Sequence, residues 1–351
     1  MSSRARISSL TDAHSPPDDH CPDVYFTRGY GSAAATAEGA TWRMTQCDDD
    51  VLAPFLQRRI DEQWSDGISP YGYAGIHVGP SRGRGDLEKI WPQLLDCWRA
   101  AGLVSLFLRF SPLDTRSAEF ASTLPGLTFA WQGENVVVPV DQGPDAVWKQ
   151  LDGRARTAIR KAERVGLTAE VRYVDPADLS PGSHFRRLYE QTMTRIGSAP
   201  RYFFTNAYYQ ALLAGLDKNL LVAEVRDELG VPIASALVMR HLGLAHYHLA
   251  GSAAEAGRHG ANNLLVWSIL RWAAENDCRR VHLGGGISAR DDDSLLMFKR
   301  SFGGNRAPFW TASLVINEDA YGLLVEAAAA RSGRPASTLR DSGWFPAYRS
   351  T

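Results

Sequence analysis

The chain has 351 residues, more than a single hydrophobic core organises comfortably, so two domains are expected. Its 44% hydrophobic and 22% charged residues are those of a globular protein, and no run of about 18 apolar residues is present that would span a bilayer. A formal net charge of −1 excludes an overall basic field. The four cysteines, Cys21, Cys47, Cys97 and Cys278, stand singly with no C-x-x-C pair, which argues against a disulfide framework or a zinc site, and no metal is expected.

Residues 1–20 hold Ser, Arg, Asp and Pro with no apolar core, and read as a disordered lead-in that is neither a secretory signal nor an anchor. A cytoplasmic location follows as the expectation. Asp23-Val24-Tyr25-Phe26 reads as a short opening element, 41–44 as a strand, and 51–60 as a further strand or short helix. The stretch 66–75, dense in Gly, Pro and Tyr, is either a plain surface turn or the wall of a polar-edged pocket. A helix is predicted over 87–101, with Trp91, Leu94, Leu95 and Trp98 on one face, and feeds a strand over 104–110. A short strand at 136–140 carries Pro139, which suggests an edge or a bulge. The first domain is placed at 21–145.

The second domain, 146–320, opens with a helical region over 143–164, and Gly166 stands where a C-cap glycine belongs. The predicted order is then strand 168–173, helix 185–194, a turn at 200–204, helix 206–214, strand 220–225, a hairpin turn at 227–230, strands 233–240 and 244–251, helix 262–276 and strand 281–283. A C-terminal helix and tail occupy 321–351. No internal repeat or heptad seam is present.

His282-Leu283-Gly284-Gly285-Gly286, then Asp293-Ser294-Leu295 and Phe298-Lys299-Arg300-Ser301-Phe302, reads as a strand end, a glycine turn and a short helix with a lysine between aromatic anchors. Three glycines each cost roughly 0.5–1 kcal/mol in ordering relative to alanine, so the backbone is expected to lie close to something, with a ligand the natural candidate. Arg154, Arg156, Arg160, Lys161 and Arg164 fall within one helical stretch where Glu163 is the only acid. Arg156, Arg160 and Arg164 share a face, and such repulsion is relieved either by a polyanion or by solvent.

The order helix, helix, three antiparallel strands, glycine-containing turn, helix and strand is that of a GNAT-type acyltransferase domain. Trp148-x-x-Leu151 with Arg154-x-Arg156-x-x-Ile159-Arg160-Lys161-Ala162, Arg258-His259-Gly260-Ala261-Asn262, and Leu283-Gly284-Gly285-Gly286 with Phe298-Lys299-x-x-Phe302-Gly303 resemble the Fem family of aminoacyl-tRNA-dependent peptidyltransferases. Ser69-Pro70-Tyr71-Gly72-Tyr73 and Leu108-Arg109-Phe110-x-Pro112 extend the likeness into the first half. The resemblance implies an α/β (α+β) fold of two tandem GNAT-like domains with mixed central sheets, here without the coiled-coil arm of the longer members. It also implies amide formation using aminoacyl-tRNA as co-substrate, with no further cofactor. The amino acid would be small, such as Gly, Ala or Ser, and the acceptor an amine on a small natural product or a peptidoglycan precursor. A monomer is expected.

On that resemblance Lys299 and Phe298 are assigned to the reacting centre, and Tyr71, Tyr73, Arg109, Arg154, Arg156, Tyr202, Tyr247 and Asp293 to substrate binding. Arg160, Lys161, Arg164, Arg258, Asn262, Gly284, Gly285 and Gly286 are assigned to tRNA or phosphate. The residues themselves leave alternatives open. Lys299 reads as an electrostatic catalyst held at an apolar edge, or as a surface lysine covering aromatics. The loop at 258–262 fits a phosphate at a helix N-terminus or simple capping by Asn262 or Asn263, and does not choose between CoA and tRNA. His248 is a possible general base, and Asp291, Asp292 and Asp293 either recognise a cationic amine or start a helix. A CoA-dependent N-acyltransferase and a binding module without chemistry are the competing functions.

Overall fold

Strand β1 (Arg6–Ser9) runs antiparallel to β2 (Thr41–Cys47), with Ile7 opposite Thr45 and its side chain against the core of the first unit. The computed structural model describes residues 5–9, 16–48 and 50–350. The expectation of a disordered lead-in over 1–20 therefore falls partly outside the described residues, and within them it is corrected: cross-strand pairing orders Arg6–Ser9 where composition gave no sign of it.

The chain divides into two units, 1–132 with 309–351, and 133–308. The sequence placed these boundaries at 145/146 and 320/321. In the first unit α1 (Arg28–Glu38) precedes β2, and β3 (Val51–Arg59), β4 (Ser65–Ile68) and β5 (His77–Val78) follow it. Next come α2 (Arg84–Ala100), β6 (Leu103–Arg109), α3 (Thr115–Ala121) and the first part of β7 (Leu127–Pro139). Strands β2, β3 and β4 pair antiparallel, β4 pairs parallel with β6, and β5 pairs with β3. Asp66-Gly67-Ile68 lies in β4 rather than in the expected loop. Its glycine fits there because a Cβ would stand 2.6 Å from the Leu106 side chain.

The second unit contains α4 (Pro144–Gln150), α5 (Gly153–Arg164), β8 (Thr168–Tyr173), α6 (His184–Arg195) and α7 (Asn206–Leu216). They are followed by β9 (Leu220–Arg226), β10 (Pro232–His241), β11 (Leu244–Ser252), α8 (Ala261–Glu275), β12 (Arg280–Gly285) and α9 (Ser294–Arg300). The predicted continuous helical region at 143–164 is two helices, because Asp152 accepts from Ala155 N at 2.7 Å and caps a fresh start. Strands β8, β9, β10 and β11 pair antiparallel in turn, β11 and β12 pair parallel, and β12 pairs antiparallel with the second half of β7. One face of this mixed sheet is covered by α4, α5 and α8, whose Val147, Ile159, Leu265 and Ile269 are fully buried with Val238 and Val281. Helix α6 approaches β11 so closely that a Cβ at Gly251 would stand 2.3 Å from the Leu188 carbonyl.

Strand β13 (Asn305–Val315) pairs antiparallel with β6 over its last residues, and α10 (Glu318–Ser332) and α11 (Ala336–Arg340) end the chain in the first unit. The predicted tail at 321–351 is packed structure: Tyr321, Val325, Leu339 and Tyr348 form a core with Val104. Among the described residues no helix is long and apolar enough to cross a membrane, and none exceeds the 17 residues of α2.

Candidate functional site

Lys299 lies in the last turn of α9 and is only 8% exposed. Its Nζ donates to the carbonyl of Gly285 at the end of β12, at 2.7 Å. Burial lowers its pKa from 10.5 to about 8, against the opposing influence of Asp293, so the amine holds its proton at neutral pH with no ion pair among the described residues. Neighbouring Phe298 is half-buried and meets the fully buried Phe302 edge-on, at 5.3 Å between ring centroids.

The glycine turn is shaped by the protein's own chain. Gly284 has φ +78°, which favours glycine. A Cβ at Gly285 would stand 2.8 Å from the Glu134 carbonyl, and one at Gly286 2.4 Å from Asp293 Oδ1. Asp293 caps α9 by accepting from Leu296 N at 2.9 Å, while its other oxygen accepts from Ile287 N, Ser288 N and Ser288 Oγ at 3.0, 2.9 and 3.1 Å. Burial pushes the Asp293 carboxyl up, but these hydrogen bonds outweigh it and the net shift is downward. Its neighbours are also occupied: Asp292 pairs with Arg290, and Asp291 with Arg306. Glu134 receives both Arg300 and Arg306.

The basic stretch lies on α5. Arg156 is spent on α4, donating to the Leu151 and Lys149 carbonyls at 2.6 and 3.2 Å. Arg160 and Arg164 are exposed, with the Arg160 guanidinium 5.5 Å from the centre of the Trp148 ring. Together with Thr157 and Glu163 they line an open hollow of about 550 Å³. Lys161 reaches across to the Arg258 carbonyl at 2.7 Å, and exposed Arg258 pairs with Glu255. Arg154 is exposed beside them. Gly260, not Asn262 or Asn263, occupies the N-cap of α8, and a Cβ there would meet the Ala158 carbonyl at 2.4 Å. Asn262 is half-buried in the first turn.

Three assigned residues belong to the first unit. Tyr73 packs edge-on against Tyr25 and Phe309, at 5.8 and 5.0 Å, and Tyr30 donates its hydroxyl to the Tyr71 carbonyl. Burial raises the Tyr73 phenol well above its ordinary value. Half-buried Arg109 ends β6 with its guanidinium 5.9 Å from the Phe107 ring. In the second unit Tyr202 sits in a short 3₁₀ turn under Arg201, and Tyr247 packs into the core with its phenol pushed up by burial.

His248 makes a poor base. Its Nε2 lies 2.9 Å from the Tyr208 hydroxyl, and burial, aided by His246, lowers its pKa to about 3. The sequence reading overlooked the group beside it. His246 and His282, opposite each other on β11 and β12, meet at 3.3 Å between Nδ1 atoms, and His282 Nε2 lies 3.1 Å from Asn135 Oδ1. The available signals were His246 and His248 at strand spacing, and His282 two residues before the glycines.

The profile of the acetyltransferase (GNAT) domain matches residues 151–293. No curated protein matches the chain in sequence. Among solved structures it is similar to FemX, with 14% identity and a TM-score of 0.67 over 86% of this chain and 94% of that one. It is also similar to the C-terminal domain of a putative lysylphosphatidylglycerol synthetase from Agrobacterium fabrum, with 18% identity and a TM-score of 0.53 over 85% and 92% of the two chains. A third likeness is to L-PGS from Bacillus licheniformis, with 15% identity and a TM-score of 0.53 over 82% and 85%. The fold is thus the α/β arrangement of tandem GNAT-like domains with mixed sheets that the sequence led one to expect, and residues 151–293 carry the GNAT domain.

Proposed function

We propose that the protein is an aminoacyltransferase of the Fem type, which moves a small amino acid from aminoacyl-tRNA to an amine on a natural product or peptidoglycan precursor. The observation that carries this reading is Lys299, a buried cation with no ion pair among the described residues, held on the Gly285 carbonyl in the Phe298-Lys299 motif of the Fem resemblance. The fold likeness to FemX supports it.

In this reaction the acceptor amine attacks the ester carbonyl, the new C–N bond forms, and the C–O bond to the terminal ribose breaks as that oxygen takes up a proton. Charge gathers on the carbonyl oxygen and then on the leaving oxygen. An ammonium with two donors left beyond the bond to Gly285 stabilises either one in a setting of low dielectric. No covalent nucleophile is needed. The α5 cations Arg160 and Arg164 would meet the tRNA phosphates, with Lys161 and Arg258 beside them. Tyr71, Tyr73 and Arg109 would serve the acceptor. The enzyme would act in the cytoplasm, as a monomer and without a further cofactor.

The test is incubation with total tRNA, synthetases and each radiolabelled amino acid in turn, using amine acceptors with and without RNase. RNase-sensitive transfer of label is the expected result, and transfer that RNase leaves intact would overturn it. An acyl-CoA-dependent N-acyltransferase is the second reading, favoured by the GNAT profile match. It predicts release of free thiol from acyl-CoA in the same assay.

A further inference from the structure

Asn135, His282 and His246 are 2%, 2% and 1% exposed, and their side chains form one chain of contacts, Asn135 Oδ1 to His282 Nε2 and His282 Nδ1 to His246 Nδ1. A carbonyl oxygen only accepts, so His282 carries its proton on Nε2 and presents a lone pair at Nδ1. His246 must then donate from Nδ1. The His282 tautomer is thereby fixed, with donation running from His246 through His282 to Asn135.

The Asn135 end of this chain reaches the Lys299 site, and His282 in its middle feels the Lys299 charge. In the pairing of β7 with β12, Asn135 stands opposite Gly285, whose carbonyl holds Lys299 Nζ. The Asn135 amide lies against Gly285 itself, because a Cβ there would be 3.5 Å from Oδ1 and 3.6 Å from Nδ2. The strand register shifts between His282 and Gly284, so the backbone ladder is irregular just where the turn begins. The side-chain bond from His282 to Asn135 spans that irregularity.

We propose that the Asn135–His282–His246 chain positions Lys299, holding the end of β12 so that the Gly285 carbonyl stays aimed at its Nζ. The neutrality of His282 matters because, among the described residues, the charges that act on it are His246 on β11 and Lys299 on α9, and neither is an acid that would stabilise a second buried cation. Burial, His246 and Lys299 all push the pKa of His282 well below 6.5. The role of these residues in transfer rests on the function proposed above, whereas the brace itself does not.

Ring-nitrogen NMR of the full-length protein tests the brace without turnover, with peaks assigned from His282→Gln and His246→Gln. The expected result is a neutral His282 in the Nε2–H tautomer from pH 7 down to about pH 5, with a proton on Nδ1 of His246. A His282 protonated on Nδ1, or charged at pH 6.5, overturns the proposal. Lysine NMR then follows the Lys299 titration in Asn135→Ala, where loss of the Gly285 carbonyl from Nζ should move it downward by a unit or more. Tyr208→Phe, which removes the bond to His248, should leave it in place, and an unmoved Lys299 in Asn135→Ala would refute the positioning role. In the transfer assay Asn135→Ala should lower kcat at least tenfold, with the donor KM within about twofold. A wild type with no transfer in any assay would count against the proposed function, while the NMR results would still decide the brace.

Discussion

Lys299 and Gly285 are joined by a 2.7 Å hydrogen bond that closes the loop between the end of β12 and the last turn of α9. The ammonium replaces lost hydration with one carbonyl, and burial brings its pKa down to about 8 against the opposing charge of Asp293. If the charge is what the reaction uses, kcat should fall as pH rises through about 8, and Lys299→Met should be inactive across the range. A rate that climbs through pH 8 would instead assign Lys299 as a base. Stability should move in the opposite sense. The unfolded lysine keeps its ordinary 10.5, so between about 8 and 10.5 the unfolded chain binds more protons and this group's penalty is relieved as pH rises. That penalty is about 3 kcal/mol, offset by about 1 kcal/mol for the bond to Gly285. Lys299→Met is therefore expected to be about 1–2 kcal/mol more stable than wild type at pH 7, with the advantage gone near pH 10.5, as measured by denaturant unfolding at both pH values.

Gly286 and Asp293 should fail together. A methyl group at 286 would sit 2.4 Å from Asp293 Oδ1, the oxygen that caps α9 through Leu296 N. Gly286→Ala is thus expected to cost about what Asp293→Ala costs, roughly 1–2 kcal/mol for a lost cap. The double variant should cost little more than either single one. Additive losses in thermal denaturation would show that the glycine is there for another reason.

The local pattern made most of the second unit legible. The strands read at 168–173, 220–225, 233–240 and 244–251 match β8 to β11, and Asp227-Glu228-Leu229-Gly230 does turn between β9 and β10, with Gly230 N bonded to the Asp227 carbonyl. Strand β1 and the first part of β7 escaped notice because their order comes from pairing with distant strands, which local propensity does not report. At the site, Lys299 stood out through its aromatic neighbours and the glycine run. The glycines, however, are explained by Glu134 and Asp293 without any ligand. Asn135 and His246 lie 147 and 36 residues from His282, and only the fold joins them.

The first unit hides a charge that should govern its stability. Asp66 is wholly buried and accepts from Arg58 Nε at 2.7 Å, Arg349 Nε at 2.5 Å and the Tyr348 hydroxyl at 3.2 Å. Residues 348 and 349 thereby anchor the chain's C-terminal segment to β4. Removing Arg349 leaves Asp66 with Arg58, whereas removing Asp66 leaves two guanidinium groups without their acid. Asp66→Ala is expected to cost about 3–5 kcal/mol and Arg349→Ala less, since Arg349 is partly exposed. Equal losses in urea unfolding would mean that the anchor, rather than the buried charge, carries the effect.

The α5 patch makes a prediction in salt. Arg160 and Arg164 are exposed, among the described residues neither has an ion pair, and both line the same hollow, whereas Arg156 is tied to the end of α4. Each phosphate contact releases about 0.9 of a counterion on a duplex, so losing one contact lowers the slope of log affinity against log salt by about that amount. Arg160→Ala and Arg164→Ala should each weaken aminoacyl-tRNA binding several-fold at low salt and flatten that slope by nearly one, with kcat at saturating donor unchanged. Arg156→Ala should leave the slope alone and lower thermal stability instead, because it uncovers the Leu151 carbonyl. Filter binding across a salt series separates the two outcomes, and a slope indifferent to Arg160 and Arg164 would move the tRNA, if tRNA is the donor, to another face of the protein.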